Sequence, residues 1–426
     1  MPPPASAISA VRERVRVVAP PMVGDRDGQS AAKRSFLTGK EGGLPTGKLS
    51  LLRVGCLLPL SGDFSSYGRR FLKGMELALS VYGQATGGAL VREIVLLVRD
   101  TGGLADAAIP LVHELAVKEH VSLLVGPVVG SVASAVARET LDLGIPLILL
   151  SSQPGLVNGE HGVFQHFLTS RNQAEQLARL MSSRAAVTVP SVFYPDTVFG
   201  RTFSQFFAAA AGRAGFAPSR LVSYQASATD FGIPIRRLLV DCLPVPVEEG
   251  EKPATECQLP EQFLVIPDNA RRLRLLAPQL AHYGMTRVHI FGSRGWHELH
   301  DELKKESGVA GVQFVDAFYA GSDAPERLVC YRNRYQAMFA QPASLYDAYG
   351  FDTVCLLKEI GEAITGDTSD PQQVISAVRS LPPLEMVTGC TSLTADGEFE
   401  KQLYWLSISD DGTIQGVAGE QALMNQ

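Results

Sequence analysis

The sequence predicts an α/β protein built as two doubly wound parallel-sheet lobes. Three observations carry this expectation. Short apolar runs alternate with helical stretches from residue 51 onward. A second series of the same kind begins beyond a break at 164–172. The 426 residues also exceed what one compact core usually serves.

In the first series, 51–60 reads as a buried strand. Residues 69–81 read as a helix, with Phe71, Met75, Leu77 and Leu79 among its apolar positions. Strands at 94–98, 123–126 and 146–150 then alternate with helices at 104–119 and 131–143. Single helices between strands imply parallel βαβ units, and right-handed crossovers wind them into one sheet. The second series places strands at 189–194, 221–224, 263–266 and 288–291, with helices at 202–214, 233–240 and 270–282. The Pro- and Glu-rich stretch 243–260 reads as an exposed loop. The chain then changes character, with a long helix at 345–364, a shorter one at 371–380 and antiparallel strands at 388–393 and 402–409. Asp396-Gly397 and Asp411-Gly412 mark their turns. The expected division is a disordered leader at 1–50, lobe I at 51–167 plus 324–380, lobe II at 168–323, and C-terminal strands near the hinge with a tail at 381–426.

Composition narrows the function. Hydrophobic residues make up 46% of the chain, enough for a substantial core. A net charge of −6 argues against a nucleic-acid partner. Arg271, Arg272 and Arg274 read as a solvated helix face. No apolar run approaches the ~18 residues of a membrane span. Residues 1–50 carry eight Lys/Arg against four Asp/Glu and no apolar block of the secretory kind. Of the six cysteines, Cys56, Cys355 and Cys390 lie in apolar surroundings and read as core. Cys242 and Cys257 bracket the 243–260 loop and are expected to pair in an oxidising compartment. No CxxC pair is present, so no zinc or redox motif is expected.

Catalytic signatures are missing. There is no Walker A loop, no GxGxxG after a strand and no GxSxG elbow. Trp296-His297-Glu298-Leu299-His300 has its second His at i+3, where helical zinc binding needs i+4, and reads as a polar helix start. Asp100, Asp196, Asp230, Asp268 and Asp352 fall at strand ends or in loops, where capping and turns call for carboxylates as readily as acid–base chemistry does. No cofactor, metal or catalytic residue is assigned.

Ligands of an open parallel sheet bind outside the carboxyl ends of its strands. Those ends carry Ser61 to Gly68, Gly126 to Ser131 and Ser151 to Gly155, loops rich in hydroxyls and small residues. Such loops suit an anion at a helix N-terminus, or Ser61 and Ser131 are plain N-caps.

Several of these stretches resemble the type I periplasmic binding proteins, especially the branched-chain amino-acid-binding group with its leucine-binding domain. Val54-Gly55-Cys56-Leu57-Leu58-Pro59-Leu60-Ser61-Gly62 with Tyr67-Gly68 is similar to that family's first strand and loop. Leu124-Val125-Gly126-Pro127, Gly144-Ile145-Pro146 with Ser151, and Tyr346-Asp347-Ala348-Tyr349-Gly350-Phe351-Asp352 follow in the family's order. In the second half, Ile266-Pro267-Asp268, Ala277 to Gly284, Gly292 to Trp296 and Val315 to Tyr319 look like the penicillin-binding protein activators. The resemblance implies a hinge and an inter-lobe cleft. It implies a ligand set of Tyr67, Ser131, Ser151, Ser152, Gln153, Thr169, Phe199 and Arg294, with Ser131 on a carboxylate, Tyr67 and Phe199 as aromatic walls, Thr169 near where the family has an Asp, and Arg294 where it has a Glu.

The implied function is non-enzymatic binding of a small polar molecule, an amino acid or a relative, for ABC-type uptake. The alternatives are an envelope activator of penicillin-binding proteins in peptidoglycan synthesis and a cytoplasmic ligand sensor. The implied partners are a small-molecule ligand and a membrane permease or a penicillin-binding protein. The implied location is the periplasm or cell envelope, with the cytoplasm left open by the lack of a visible signal peptide.

Overall fold

The computed structural model describes residues 15–18, 51–85, 93–183, 190–239, 262–285, 288–297, 311–409 and 411–417. The first sheet contains β1 (Val15–Val18), β2 (Leu52–Leu58), β3 (Ile94–Asp100), β4 (Leu123–Val125), β5 (Leu147–Leu149) and β6 (Val163–Gln165). They are all parallel, in the order β1-β3-β2-β4-β5-β6. Helices α1 (Ser65–Ala85), α2 (Ala105–His113) and α3 (Gly130–Leu143) make the crossovers from β2 to β5. Both faces of this sheet are covered, so β2 and β3 are buried along nearly their whole length rather than alternating.

The second sheet contains β7 (Ser191–Pro195), β8 (Arg220–Tyr224), β9 (Gln262–Ile266), β10 (Val288–Gly292) and β11 (Gln313–Asp316), parallel in the order β8-β7-β9-β10-β11. Its helices are α4 (Ser170–Ser182), α5 (Val198–Arg213), α6 (Gly232–Leu238) and α7 (Ala270–His282). The chain then returns to the first lobe with α8 (Glu326–Phe339), α9 (Leu345–Ala363) and α10 (Pro371–Arg379). A small antiparallel sheet of β12 (Leu384–Met386), β13 (Gly389–Leu393) and β14 (Phe399–Lys401) follows. The last strands, β15 (Tyr404–Ile408) and β16 (Ile414–Gly416), extend the second sheet antiparallel beyond β11. The chain therefore passes between the lobes after β6, after β11 and after β14.

The two doubly wound lobes expected from the sequence are present. Three details differ. Within the leader, Val15–Val18 forms an edge strand parallel to β3, its Val15 opposite Leu96. The stretch 381–426 is split between its own small sheet and the second lobe's sheet. Of the cysteines read as core, Cys56 is fully buried, and burial pushes its thiol up to about 12. Cys355 and Cys390 are half-buried. Cys242, Cys257 and the loop between them lie outside the described residues.

The return of the chain is anchored where α9 packs on α1. Two glycines each face the backbone of the opposite helix there. A Cβ on Gly74 would sit 1.9 Å from the Asp347 carbonyl oxygen, and one on Gly350 would sit 2.1 Å from that of Phe71. Only hydrogen at both positions permits this approach. A capping box opens α9, with Ser344 N–H and Oγ–H donating to Asp347 Oδ2 at 2.7 and 2.6 Å. The same carboxylate oxygen accepts from Arg70 of α1 at 2.8 Å, which fixes α9 onto the first lobe.

Candidate functional site

The strand order reverses between β7 and β9 in the second sheet, and the crevice at such a switch point is where open α/β sheets hold ligands. The loops leaving these two strands line a cavity of about 390 Å³. Pro195, Thr197 and Phe199 come from the β7 end, and Pro267, Asp268 and Asn269 from the β9 end. Thr197 and Asn269 are the N-caps of α5 and α7, accepting from Gly200 N–H at 3.0 Å and Arg272 N–H at 3.2 Å. Arg294 and Gly295 enter from the turn after β10. The first lobe and the crossing closing onto it supply Ser152, Phe167, Leu168 and Tyr346.

Aromatic rings form the first-lobe wall. Phe167 and Tyr346 lie 6.0 Å apart with planes 18° from parallel. Tyr67 packs edge-on against Tyr346 at 4.8 Å. Phe199 stands on the second-lobe side, 38% exposed.

The charged groups of the cavity are already engaged. Asp268 Oδ2 accepts from Tyr224 Oη at 2.6 Å, and its Oδ1 accepts from Asn269 N and Nδ2 at 2.7 and 3.0 Å. Burial, with the Asp268 charge adding to it, pushes the Tyr224 hydroxyl far above its usual range, so it stays a donor. Arg272 lies 3.8 Å from Asp268 and donates to the carbonyls of Ala226 and Ala228. Arg294 Nε lies 3.6 Å from Oδ1 of the buried Asp316. Its backbone N–H donates to Gln173 Oε1 at 3.0 Å.

Of the eight residues expected to hold a ligand, Ser152, Phe199 and Arg294 line this cavity, and Tyr67 supports its wall. The other four do not line it. Ser151 is buried, and its Oγ accepts from Gln153 N–H at 3.2 Å. Gln153 turns its side chain toward Gly130. Thr169 is buried as the N-cap of α4 and donates to Glu398. Ser131 is exposed on the first turn of α3, where the cap position belongs to Val129.

Asp268, Gln173 and Tyr346 were missed as site residues, and Arg272 was misread as part of a solvated face. The available signal was the pair Asp268 and Arg272, four residues apart immediately after a strand. The remaining aspartates are structural. Asp100 accepts from Leu60, Ser61 and Gly102 N–H, Asp196 pairs with Arg201, and Asp230 accepts from Gly232 N–H. Asp352 is buried and accepts from Val387 N and Thr388 N. His297 contacts Asp316 at 2.5 Å, while 298–300 lie outside the described residues. Among the described residues no cluster of His, Cys, Asp and Glu could hold a metal ion, and no helix is long and apolar enough to cross a membrane.

Comparison with known proteins agrees with this architecture. Residues 52–240 match the family model described as a periplasmic binding protein. A solved structure from Rhodospirillum rubrum, assigned to a branched-chain amino acid ABC transporter, is 20% identical with a TM-score of 0.73, covering 86% of this chain and 100% of that one. The branched-chain amino acid transporter substrate-binding protein of Streptococcus pneumoniae, in complex with isoleucine, is 19% identical with a TM-score of 0.59 over 86% of this chain and 98% of that one. A solute-binding protein of R. palustris in complex with benzoate is 17% identical with a TM-score of 0.58 over 86% and 96%. No curated protein matches the chain in sequence.

Proposed function

We propose that this chain, which has the type I periplasmic binding protein fold, is a non-enzymatic solute-binding protein that captures a small molecule between its lobes and serves ABC-type uptake. The observation that carries this reading is the cavity itself. It sits at the second lobe's switch point, both lobes contribute side chains, and its volume of about 390 Å³ falls in the range typical of small-molecule sites. A ligand touching Phe199 and Asn269 on one side and Tyr346 and Ser152 on the other favours the closed arrangement by its differential affinity. Proteins of the same fold are seen with isoleucine and with benzoate, which supports a small carboxylate as the ligand.

The test is a thermal-shift screen of the purified protein against amino acids, aromatic acids and other small metabolites, followed by titration calorimetry and small-angle scattering on any hit. The expected result is saturable binding of one chemical class with a smaller radius of gyration in the bound state. A protein that no small molecule stabilises, but that binds a penicillin-binding protein, would replace this reading with the regulatory one.

A further inference from the structure

A second cavity lies outside the inter-lobe cleft, where the turn between β13 and β14 packs against the residues around β6. We propose that it is a site for a small oxyanion, of the size of phosphate, sulfate or acetate, and that its occupancy steadies the hinge. The inference is independent of the solute-binding reading. The cavity holds about 130 Å³ and shares no lining residue with the inter-lobe cavity. That volume is below the ~300 Å³ at which sites for drug-sized ligands begin. Close backbone contact keeps it narrow, since a Cβ on Gly397 would sit 2.9 Å from Gly159 Cα.

The charge of the wall selects an anion. Arg379, in the last turn of α10, is the only ionisable residue among those lining the cavity. Its side chain is exposed, and its guanidinium makes no hydrogen bond or ion pair with another described residue. The end of α10 does not need it as a cap. Ser380 N donates to the carbonyls of Ser376 and Ala377 at 3.0 and 3.2 Å, and Leu381 N to that of Val378 at 3.4 Å. On the turn side of the cavity, Ala395 leaves its N–H without a partner among the described residues. The carboxylate of the same turn, Asp396, is engaged elsewhere, accepting from Arg171 Nη1 at 2.7 Å and Thr394 Oγ1 at 2.5 Å. A guanidinium fork and a main-chain N–H are donors that an oxyanion can take together.

The position of the cavity links it to the hinge. Gly159 N donates to the Asp396 carbonyl and Gln165 N to that of Gly397, both at 3.0 Å. β6 leads into the first crossing and β14 into the third. An anion between Arg379 and the turn therefore fastens α10 of the first lobe beside both.

Calorimetric titration of the full chain at pH 7 with sodium phosphate, sulfate and acetate, chloride holding the ionic strength constant, tests this. The expected result is saturable one-site binding of at least one oxyanion, with the others competing for the same site. Arg379→Gln weakens that binding by about tenfold or more, the worth of a hydrogen bond to a charged group. Arg138→Gln, which removes the same charge from the exposed face of α3, changes it by less than about twofold, since a distant surface charge is screened. Hydrogen exchange across 394–401 slows in the wild type when the anion is bound and does not slow in Arg379→Gln. No saturable binding by any of the three anions overturns the proposal. Binding that Arg379→Gln leaves unchanged also overturns it by placing the anion elsewhere, and the solute-binding reading then still stands. Exchange that bound anion leaves unchanged overturns the hinge role.

Discussion

Arg294 of the second lobe lies over the ring of Tyr346 of the first, with its Cζ 5.3 Å from the ring centroid. One side chain thus joins three things: the lobe–lobe contact, the cavity wall and the buried Asp316, 3.6 Å from Nε. Its side chain is 18% exposed. Arg294→Ala is therefore expected to lower the stability of the unliganded protein by about 1–2 kcal/mol, less than the full loss of a buried pair because His297 and Ala317 N–H remain on Asp316. Urea denaturation of the variant checks this. A double variant with Asp316→Asn should show less than the sum of the two losses, since the residues share one interaction. An unchanged midpoint for Arg294→Ala would mean that the ion pair contributes nothing.

Tyr224→Phe tests how Asp268 is held. The phenol gives Asp268 its closest donor, at 2.6 Å, and Tyr224 is 2% exposed. Removing a hydrogen bond to a charged group costs about 1.5–3 kcal/mol. The substitution also removes the hydroxyl donor from Asp268 Oδ2, leaving Arg272 Nε 3.8 Å from that oxygen. The expected outcome is a lower thermal midpoint together with relatively better binding of a zwitterionic ligand than in the wild type. Equal selectivity in the two proteins would show that Asp268 does not govern ligand charge.

The helix pair α1 and α9 gives a packing prediction. Gly350→Ala puts a methyl 2.1 Å from a main-chain oxygen, and the obstacle is backbone rather than a movable side chain. Overpacking of this kind costs about 1–3 kcal/mol. Circular dichroism melts should show the loss, and Gly74→Ala should show a similar one. Because α9 carries Tyr346 into the cavity, ligand affinity is expected to fall as well.

How much of this was legible in the sequence depended on what each signal reports. The strands and crossovers were readable because burial on both faces makes β2 to β5 continuous apolar runs. The leader was read from its charge and its lack of an apolar block, neither of which reveals that Val15–Val18 finds an edge beside β3. Phe199, Arg294, Thr169 and Ser151 were all placed by the family resemblance, and Phe199 and Arg294 line the cavity. Thr169 and Ser151 instead each spend an oxygen on a local hydrogen bond, and local capping cannot be told from ligand binding by residue type. Arg272 was misread because charge density along a helix does not show that its side chain folds back onto the carbonyls of Ala226 and Ala228.

Lys401 gives the pH prediction. It ends β14, where the chain leaves for the second lobe. It is 1% exposed, with Nζ 2.8 Å from Thr391 Oγ1 and 4.9 Å from the Tyr349 ring centroid. Its backbone ties to Asn172 of the first crossing, whose Nδ2 donates to the Lys401 carbonyl at 3.0 Å. Burial pulls the ammonium down from 10.5 to about 8, against the opposing attraction of Asp352. The thiols of Cys355 and Cys390 add smaller attractions in the same direction as Asp352. Burial, reinforced by Lys401, keeps the His166 imidazole neutral, and burial raises the Cys390 thiol. The sign follows from proton counting. Between about pH 8 and 10.5 the unfolded chain keeps a proton that the folded protein has released, so this group makes stability rise with pH across that window. As pH falls from about 10.5 toward about 8 that contribution is lost, because the folded state must increasingly take up the buried charge. Lys401→Met removes the titration. The difference in unfolding free energy, wild type minus variant, is expected to grow by up to about 1.4 kcal/mol per pH unit above pH 8, the most that one proton can supply. Urea midpoints of both proteins from pH 7 to 10 measure it. A difference that stays flat over that range would show that Lys401 titrates with its ordinary, exposed-lysine behaviour and that the crossing carries no buried charge to relieve.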